Sequence, residues 1–259
     1  MERHMEAMTS DRVEGGVQRI AMARPHAMNA IDLAMRHEFE AAMLAATADP
    51  DVRAIIVTGQ GTHFSAGGDI PFLQSMNAAQ FKEYHRDVLG LVRAIALCPK
   101  PTIASVRGAC AGGGFGFALG CDYLLASQTA YFSAQFLRIG LVADMGTGYF
   151  LAHRLGGHKA RKLLLDNRIV KAEEAATIGL CDELHADETL DGETLRLARR
   201  LAELPPRAVR QTKWLMRQAE GSFERFLDAE MTAGAECLGG EEFIEGTNAF
   251  FEKRAPRFG

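Results

Sequence analysis

A glycine-rich stretch between Lys100 and Asp122 constrains the fold of this chain more than any other segment. It reads KPTIASVRGACAGGGFGFALGCD, with a β-branched apolar run followed by glycines and then by an apolar helical sequence. The pattern predicts a buried strand at Thr102–Val106, a turn, and a helix that begins within Gly112–Gly114. The first N–H groups of such a helix have no intrahelical partner and lie at the positive end of its dipole. The stretch therefore predicts an anion site, although close packing of a glycine-lined helix on a strand is the structural alternative.

A second loop, HFSAGGDI at residues 63–70, follows the predicted strand Ala54–Thr58. Gly67 and Gly68 favour an exposed backbone amide, and Asp69 is suited to holding the turn through side-chain-to-backbone hydrogen bonds. The chain contains neither G-x-x-x-x-G-K-[ST] nor G-x-G-x-x-G, which weakens a phosphate or nucleotide interpretation. If the two loops converge, their N–H groups form a site for the oxyanion of a carbonyl substrate.

Three motifs in order resemble those of the crotonase superfamily, which comprises the enoyl-CoA hydratases and isomerases. They are FSAGGDI, the stretch from Lys100 to Asp122, and RPHAMNAID near the N-terminus. The likeness extends from about residue 14 to FFEKRAPRF at the end of the chain. It implies an α/β fold, a spiral of ββα units with a C-terminal helical trimerisation region, commonly assembled as a dimer of trimers.

The resemblance also implies an acyl-CoA thioester substrate whose thioester oxygen is held by the N–H groups of Gly68 and Gly113. Other residues implied to bind the acyl-CoA are Ala27, Ala66, Gly67, Asp69, Ile70 and Gly112. Arg24 is implied as an exposed phosphate contact, with turn chemistry as the alternative. Lys253 is implied as a contact to the CoA of a neighbouring subunit, with compensation of the helix dipole as the alternative. Coenzyme A enters only as part of the substrate, and no other cofactor and no metal is expected.

Both glutamates of the family's hydratases are replaced in this chain, by Gly116 and by Phe136. Neither residue transfers protons, so the two-glutamate addition of water does not operate. Asp144, in IGLVADMGTG, is the remaining acid, and it resembles the aspartate of epoxyphenylacetyl-CoA and dienoyl-CoA isomerases. Its local alternative is a helix N-cap. Apolar neighbours are expected to raise its pKa, and Phe136 is expected to form an apolar wall.

We therefore expect an acyl-CoA enzyme that shifts a double bond by proton transfer through Asp144. The alternatives are an enoyl-CoA hydratase that uses a further polar group such as His63 or Gln135, and a non-catalytic acyl-CoA binder. The sequence most resembles the epoxyphenylacetyl-CoA isomerase branch, although Gly116 stands where that branch has a polar residue. His85 is expected to be a surface or packed residue.

Three regions are expected along the chain: a disordered leader at residues 1–12, the spiral core at 13–200, and a helical assembly region at 201–259. The 259 residues carry a net charge of −4 and 47% hydrophobic residues, which suits a sizeable core and gives no support to nucleic-acid binding. The five cysteines are scattered, and neither a signal peptide nor a long apolar span is recognisable. These features predict a cytoplasmic protein without membrane segments or disulfides.

Overall fold

A computed structural model describes residues 7–219, 223–238 and 240–258, without the side chains of residues 78, 223, 224 and 226. The N-terminal half alternates strands and helices: β1 (Met8–Val13), β2 (Val17–Met22), α1 (Leu33–Ala48), β3 (Ala54–Gly59), α2 (Ile70–Gln74), α3 (Ala78–Ala96), β4 (Thr102–Val106), β5 (Ala109–Ala111), α4 (Gly112–Gly120), β6 (Tyr123–Ser127) and β7 (Tyr131–Ser133). Two 3-10 helices, Pro25–Ala27 and Gln135–Ile139, lie between these elements.

The rest of the chain is mainly helical. Its elements are α5 (Thr147–Leu155), α6 (Gly157–Asp166), β8 (Ile169–Lys171), α7 (Ala172–Ile178), β9 (Glu183–His185), α8 (Leu190–Ala202), α9 (Pro206–Gln218), α10 (Phe223–Leu238) and α11 (Glu241–Glu252). The helical character expected of the C-terminal region is confirmed by α9, α10 and α11. The short strands β8 and β9 were not predicted, because three-residue strands leave little periodicity to recognise.

Six strands form the main sheet in the order β1-β2-β3-β4-β6-β9, and β5-β7-β8 form a second, smaller sheet. In the main sheet only the β1–β2 pair is antiparallel. Both faces of β3 are buried: Ile55 and Val57 face one hydrophobic cluster, whereas Ala54 and Ile56 face another that includes α8. Burial on both faces explains the continuous apolar run of this strand.

The leader does not match its prediction. Residues 8–12 were expected to be disordered, yet they belong to β1, which pairs with β2 in the register Met8↔Met22 to Val13↔Val17. The prediction failed because this polar edge strand buries little besides Met8 and is held by backbone hydrogen bonds, for which composition gives no signal. Residues 1–6 lie outside the described residues.

Two further boundaries differ from the predictions. The apolar periodicity from Pro71 to about Leu97 predicts one helix, but the structure divides this segment into α2 and α3. The division occurs because Asn77 and Gln80 form a capping box that starts α3. The boundary expected at residue 200 falls inside the last turn of α8, which packs on the main sheet. The C-terminal helices instead begin at Pro206.

Candidate active site

The two glycine loops lie side by side at the carboxyl ends of β3 and β4. Ser65 pairs with Cys110 in a parallel bridge, in which the Ser65 N–H donates to Ala109 O at 2.9 Å and the Ala111 N–H donates to Ser65 O at 2.9 Å. A Cβ added to Gly67 would lie 2.8 Å from Ala111 O and 3.0 Å from Gly113 N. The loops are therefore in backbone contact, at a distance that only glycine permits at position 67.

Two amides in these loops are unused. Among the residues that the structure describes, no hydrogen bond uses the N–H of Gly68 or of Gly113, whereas the N–H of Gly67 donates to Ser65 Oγ at 3.1 Å and that of Asp69 to Ile31 O at 3.3 Å. Gly113 lies in the first turn of α4, whose N-cap residue Ala111 provides no side-chain cap. Free amides at a helix N-terminus are suited to stabilising an oxyanion.

Asp144 lies between the second 3-10 helix and α5, at the same cavity as Gly68 and Gly113. Burial raises the pKa of its carboxyl from 3.8 to about 6. The charge of His85 and a hydrogen bond from the backbone N–H of Asp144 itself lower this pKa, but by less than burial raises it. Its Oδ1 is buried and has no hydrogen-bond partner in the described part of the chain. A carboxylate in this setting is poised to exchange a proton near neutral pH.

The N-cap alternative for Asp144 is wrong. Helix α5 begins after Gly146, which adopts a left-handed conformation with φ of 74° and gives no side-chain cap. The N–H of Thr147 donates to the backbone oxygen of Asp144 at 2.9 Å, which leaves the carboxylate out of the helix start. The side chain faces the cavity instead.

The residues at the two hydratase glutamate positions supply no second acid beside Asp144. A Cβ at Gly116 would lie 2.5 Å from Met145 O and 2.9 Å from Thr147 Oγ1, so this backbone has no space for any side chain there. Phe136 is buried in the second 3-10 helix and lines the cavity. Asp144 is thus the one carboxylate among the described residues that line the cavity.

The cavity has a volume of about 240 Å³. Seven of the residues predicted for the site line it: Ala66, Gly68, Ile70, Gly112, Gly113, Phe136 and Asp144. Gly67 and Asp69 flank this lining in the loop, and Asp69 caps α2 by accepting from the Phe72 N–H at 3.2 Å, as the sequence predicted. Further apolar walls come from Leu73, Ile139 and Leu141.

Arg24, Ala27 and Lys253 lie outside this lining. The Arg24 guanidinium is turned inward rather than exposed: it donates to Ala30 O at 2.6 Å and pairs with Asp32 at 3.2 Å. Ala27 ends the first 3-10 helix, and Lys253 is exposed at the left-handed end of α11. Contacts from these residues to CoA remain predictions.

Of the polar groups suggested for a hydratase, His63 is not among the residues that line the cavity, and its Nδ1 accepts from the Ala109 N–H at 3.1 Å. Gln135 does line the cavity, but its Nε2 donates to Asn167 O at 2.9 Å. Both side chains therefore have structural partners in the protein.

Helix α3 supplies two groups near the site that the sequence motifs do not identify. Tyr84 lines the cavity, and the neighbouring His85 lies close enough to Asp144 for its charge to lower the pKa of that carboxyl. The Nδ1 of His85 is buried and has no partner within the described ranges. A signal for Tyr84 exists in the sequence, because it lies three residues after Phe81 and four before Val88 on the apolar face of α3.

The family profile of the enoyl-CoA hydratases/isomerases matches residues 12–259 of the chain. The chain belongs to the enoyl-CoA hydratase/isomerase family. It is 31% identical over 259 residues to a peroxisomal Δ(3,5)-Δ(2,4)-dienoyl-CoA isomerase of Arabidopsis thaliana, covering 95% of this chain and 93% of the relative. It is 32% identical over 237 residues to a crotonyl-CoA hydratase of Syntrophomonas wolfei, with 91% of each chain covered.

A solved structure agrees with this assignment to the enoyl-CoA hydratase/isomerase family. The crystal structure of an enoyl-CoA hydratase from Mycobacterium smegmatis matches with a TM-score of 0.92 and 28% identity, over 97% of this chain and 98% of that one. The crotonase fold expected from the motifs is therefore confirmed, and the protein is an acyl-CoA enzyme of this family. Relatives named as hydratases and as an isomerase both occur, so the family alone does not select the reaction.

Two properties of the described residues bear on other classes of site. Within those residues, no helix has the length and apolar character needed to cross a bilayer. The same part of the chain brings no three histidine, cysteine or acidic side chains together as a set of metal ligands.

Proposed function

We propose that this protein is an acyl-CoA double-bond isomerase in which Asp144 carries the proton. The observation that supports this most strongly is the pairing of one desolvated carboxylate with two unused amides at a single cavity. Substrates of this class are 3-enoyl-CoA thioesters, whose double bond lies one carbon away from conjugation with the thioester.

In the proposed mechanism the thioester oxygen accepts hydrogen bonds from the N–H groups of Gly68 and Gly113. These bonds make the protons on the second acyl carbon more acidic, and the Asp144 carboxylate removes one of them. The electron pair of that C–H bond moves to the thioester oxygen as an enolate, which the two amides stabilise. Asp144 then returns its proton to the fourth carbon. In the product, the double bond joins the second and third carbons.

The pKa of Asp144 fits both halves of this cycle. A carboxyl with a pKa of about 6 is mostly ionised at neutral pH, so it can accept the first proton. It is also acidic enough, once protonated, to donate that proton to the dienolate. Asp144 lines the cavity, so its carboxylate can exchange this proton with a thioester bound there.

The test is mass spectrometry of 2-enoyl-CoA and 3-enoyl-CoA thioesters incubated with the protein in heavy water. We expect 3-enoyl-CoA to become 2-enoyl-CoA with uptake of deuterium, and we expect the Asp144→Asn variant to lose this activity. Asp87→Asn is a matched control, because Asp87 is exposed on α3 and lies outside the cavity lining. Binding of the whole panel without a double-bond shift or exchange would contradict the proposal and favour a non-catalytic binder.

Hydration of 2-enoyl-CoA is the second candidate, because relatives of comparable identity are named hydratases. It would require Asp144 to activate water alone, next to the apolar side chain of Phe136. A product heavier by one water in the same experiment would favour it. The lack of space for a side chain at Gly116 argues against the ring-epoxide chemistry of the epoxyphenylacetyl-CoA branch, which usually has a polar residue there.

We also propose that the enzyme assembles as a trimer or a dimer of trimers through its C-terminal helices. Apolar side chains on α10 and α11 are exposed, and Met231, Phe250 and Phe251 are each more than 70% accessible. Exposed apolar surface of this kind favours association. Analytical ultracentrifugation is expected to show a mass of three or six chains, and a monomer at micromolar concentration would contradict this proposal.

A further inference from the structure

Met145 directly follows Asp144 and has a backbone conformation that is unusual for its residue type. Its φ is 53°, in the left-handed region that favours glycine. The side chain is 3% exposed and lines the cavity. A strained backbone of this kind persists only where the surrounding structure holds it, and such residues cluster at functional sites.

The Met145 side chain packs along the face of α4 that carries the oxyanion amide. A Cβ added to Gly113 would lie 2.9 Å from Met145 Cγ and 3.2 Å from Met145 Cε. A Cβ added to Gly116, about one turn later in α4, would lie 2.8 Å from Met145 Cβ. Met145 therefore fills the space over these two glycines, whose lack of a side chain allows the close approach.

Two unpaired oxygens lie on either side of Met145 in the sequence. Asp144 Oδ1 and Thr147 Oγ1 are both buried, and neither has a hydrogen-bond partner among the residues that the structure describes. Thr147 Oγ1 lies 2.9 Å from the Cβ position of Gly116, beside the same point of α4 as Met145 Cβ. A water molecule in the place of the Met145 side chain would find polar partners there, which is the condition for a water to be retained in a protein.

A water beside Asp144 would change the reaction, because the 2-enoyl-CoA formed by isomerisation is also the substrate of hydration. The carboxylate would remove a proton from the water as the water oxygen bonds to the third carbon. The electron pair of the double bond would move to the thioester oxygen as an enolate, and Asp144 would give its proton to the second carbon, forming a 3-hydroxyacyl-CoA. The amides of Gly113 and of Gly68, in the oxyanion loop (residues 63–70), serve both reactions and do not select between them.

We propose that the Met145 side chain excludes water from the space beside Asp144 and thereby restricts the enzyme to proton transfer along the acyl chain. Met145 is thus a residue that determines the type of reaction, together with the apolar wall at Phe136. This inference rests on the proposed isomerase function, and it adds the reason why the 2-enoyl-CoA product is not hydrated.

The experiment compares variants that empty this space with one that refills it. Met145→Gly removes the whole side chain and suits the left-handed backbone, whereas Met145→Ala keeps the Cβ. Both leave a space that opens onto the cavity, because Met145 lines it. Met145→Leu restores an apolar side chain of similar volume. Met43→Ala is the matched control, because Met43 is fully buried on α1 and lies outside the cavity lining.

Each protein is incubated with a 3-enoyl-CoA in water enriched in the heavy oxygen isotope, and mass spectrometry gives the initial rates of formation of 2-enoyl-CoA and of labelled 3-hydroxyacyl-CoA. We expect the ratio of hydration to isomerisation to rise at least about tenfold in Met145→Gly and Met145→Ala. It should stay within about twofold of the unmodified protein in Met145→Leu and Met43→Ala.

The pH profile gives an independent readout. Burial is the largest cause of the raised pKa of Asp144, so water admitted beside the carboxylate should move the inflection of kcat/KM from about 6 to lower pH by about one unit. Tyr84 and His85, both on α3, interact with the charge of Asp144 and are unchanged in these variants. Met145→Leu and Met43→Ala should keep the inflection of the unmodified protein.

Several results would overturn the inference. An unchanged product ratio, or loss of both reactions, in folded Met145→Gly and Met145→Ala would show that Met145 does not act by excluding water, and would leave the isomerase function intact. Hydration by Met145→Leu at the rate of Met145→Gly would show that filling this space does not determine the product. An unmodified protein that hydrates its substrate or fails to isomerise it would refute the proposed function and the inference with it. Circular dichroism establishes which variants are folded.

Discussion

The two walls of the cavity are built on different physical principles. The glycine wall, made by the loops around Gly68 and Gly113, works through backbone amides that are fixed by hydrogen bonds between the loops. The acidic wall, made by Asp144 and Phe136, works through side chains whose properties depend on burial. The glycine wall therefore tolerates almost no change of its backbone, whereas the acidic wall is altered by the change of a single polar atom.

The largest effect is expected on the acidic wall. Asp144→Asn keeps the shape of the side chain but removes its ability to accept a proton, and it should lower kcat by about a thousandfold. Steady-state kinetics with a 3-enoyl-CoA substrate measure this. A variant that retains most of its kcat would assign the proton transfer to another group and remove the functional contrast between the walls.

A substitution in the glycine wall is expected to reduce activity by displacing the two backbone amides. Gly67 has a φ of 93°, and its Cβ position lies 2.8 Å from Ala111 O, so Gly67→Ala must push the two loops apart. We expect kcat/KM to fall about a hundredfold as the amides of Gly68 and Gly113 lose their alignment. Gly192→Ala, on α8 with open space around its Cβ position, is the matched control and should retain full activity.

An acid introduced at Gly116 tests whether this site can accommodate the missing hydratase glutamate. Gly116→Glu places a Cβ 2.5 Å from Met145 O, so it should lower the free energy of unfolding by about 2–3 kcal/mol without introducing hydratase activity. Gly116→Ala carries the same Cβ and should be destabilised by a similar amount in urea denaturation. A stable Gly116→Glu variant that hydrates crotonyl-CoA would contradict the steric argument.

The pH dependence follows from the pKa of Asp144. Because the carboxylate form accepts the proton, kcat/KM should fall about tenfold per pH unit below pH 6 and level off above it. A pH–rate profile of the unmodified enzyme measures this. An inflection near pH 4, the region of an exposed aspartate, would indicate that Asp144 is not desolvated in solution.

The smallest expected effect is a gain of stability. The pKa of Asp144 is raised in the folded state from 3.8 to about 6, so stability is lost as pH rises through this interval and the carboxyl ionises. Asp144→Asn should therefore be more stable than the unmodified protein by about 1–2 kcal/mol at pH 8, with the difference vanishing near pH 4. Urea denaturation at both pH values checks the prediction.

The sequence alone predicted the strands and the helix start that flank the site, and the glycine residues of both loops. Alternation, capping residues and glycine runs are local signals, so β3, β4 and the start of α4 could be placed within a few residues. The substitution of both hydratase glutamates was also visible without a structure. In contrast, β1 was missed because its position depends on hydrogen bonds to β2 and not on its own composition.

Only the tertiary structure decided how these parts work together. The backbone contact between Gly67 and Gly113, the direction of the Asp144 side chain and the steric block at Gly116 all depend on segments remote in sequence. The same is true of Tyr84, whose hydroxyl reaches the cavity because α3 packs beside the oxyanion loop. Helix starts and turns are specified largely by neighbours along the sequence, whereas strand pairing, desolvation and steric contact are set by neighbours in space.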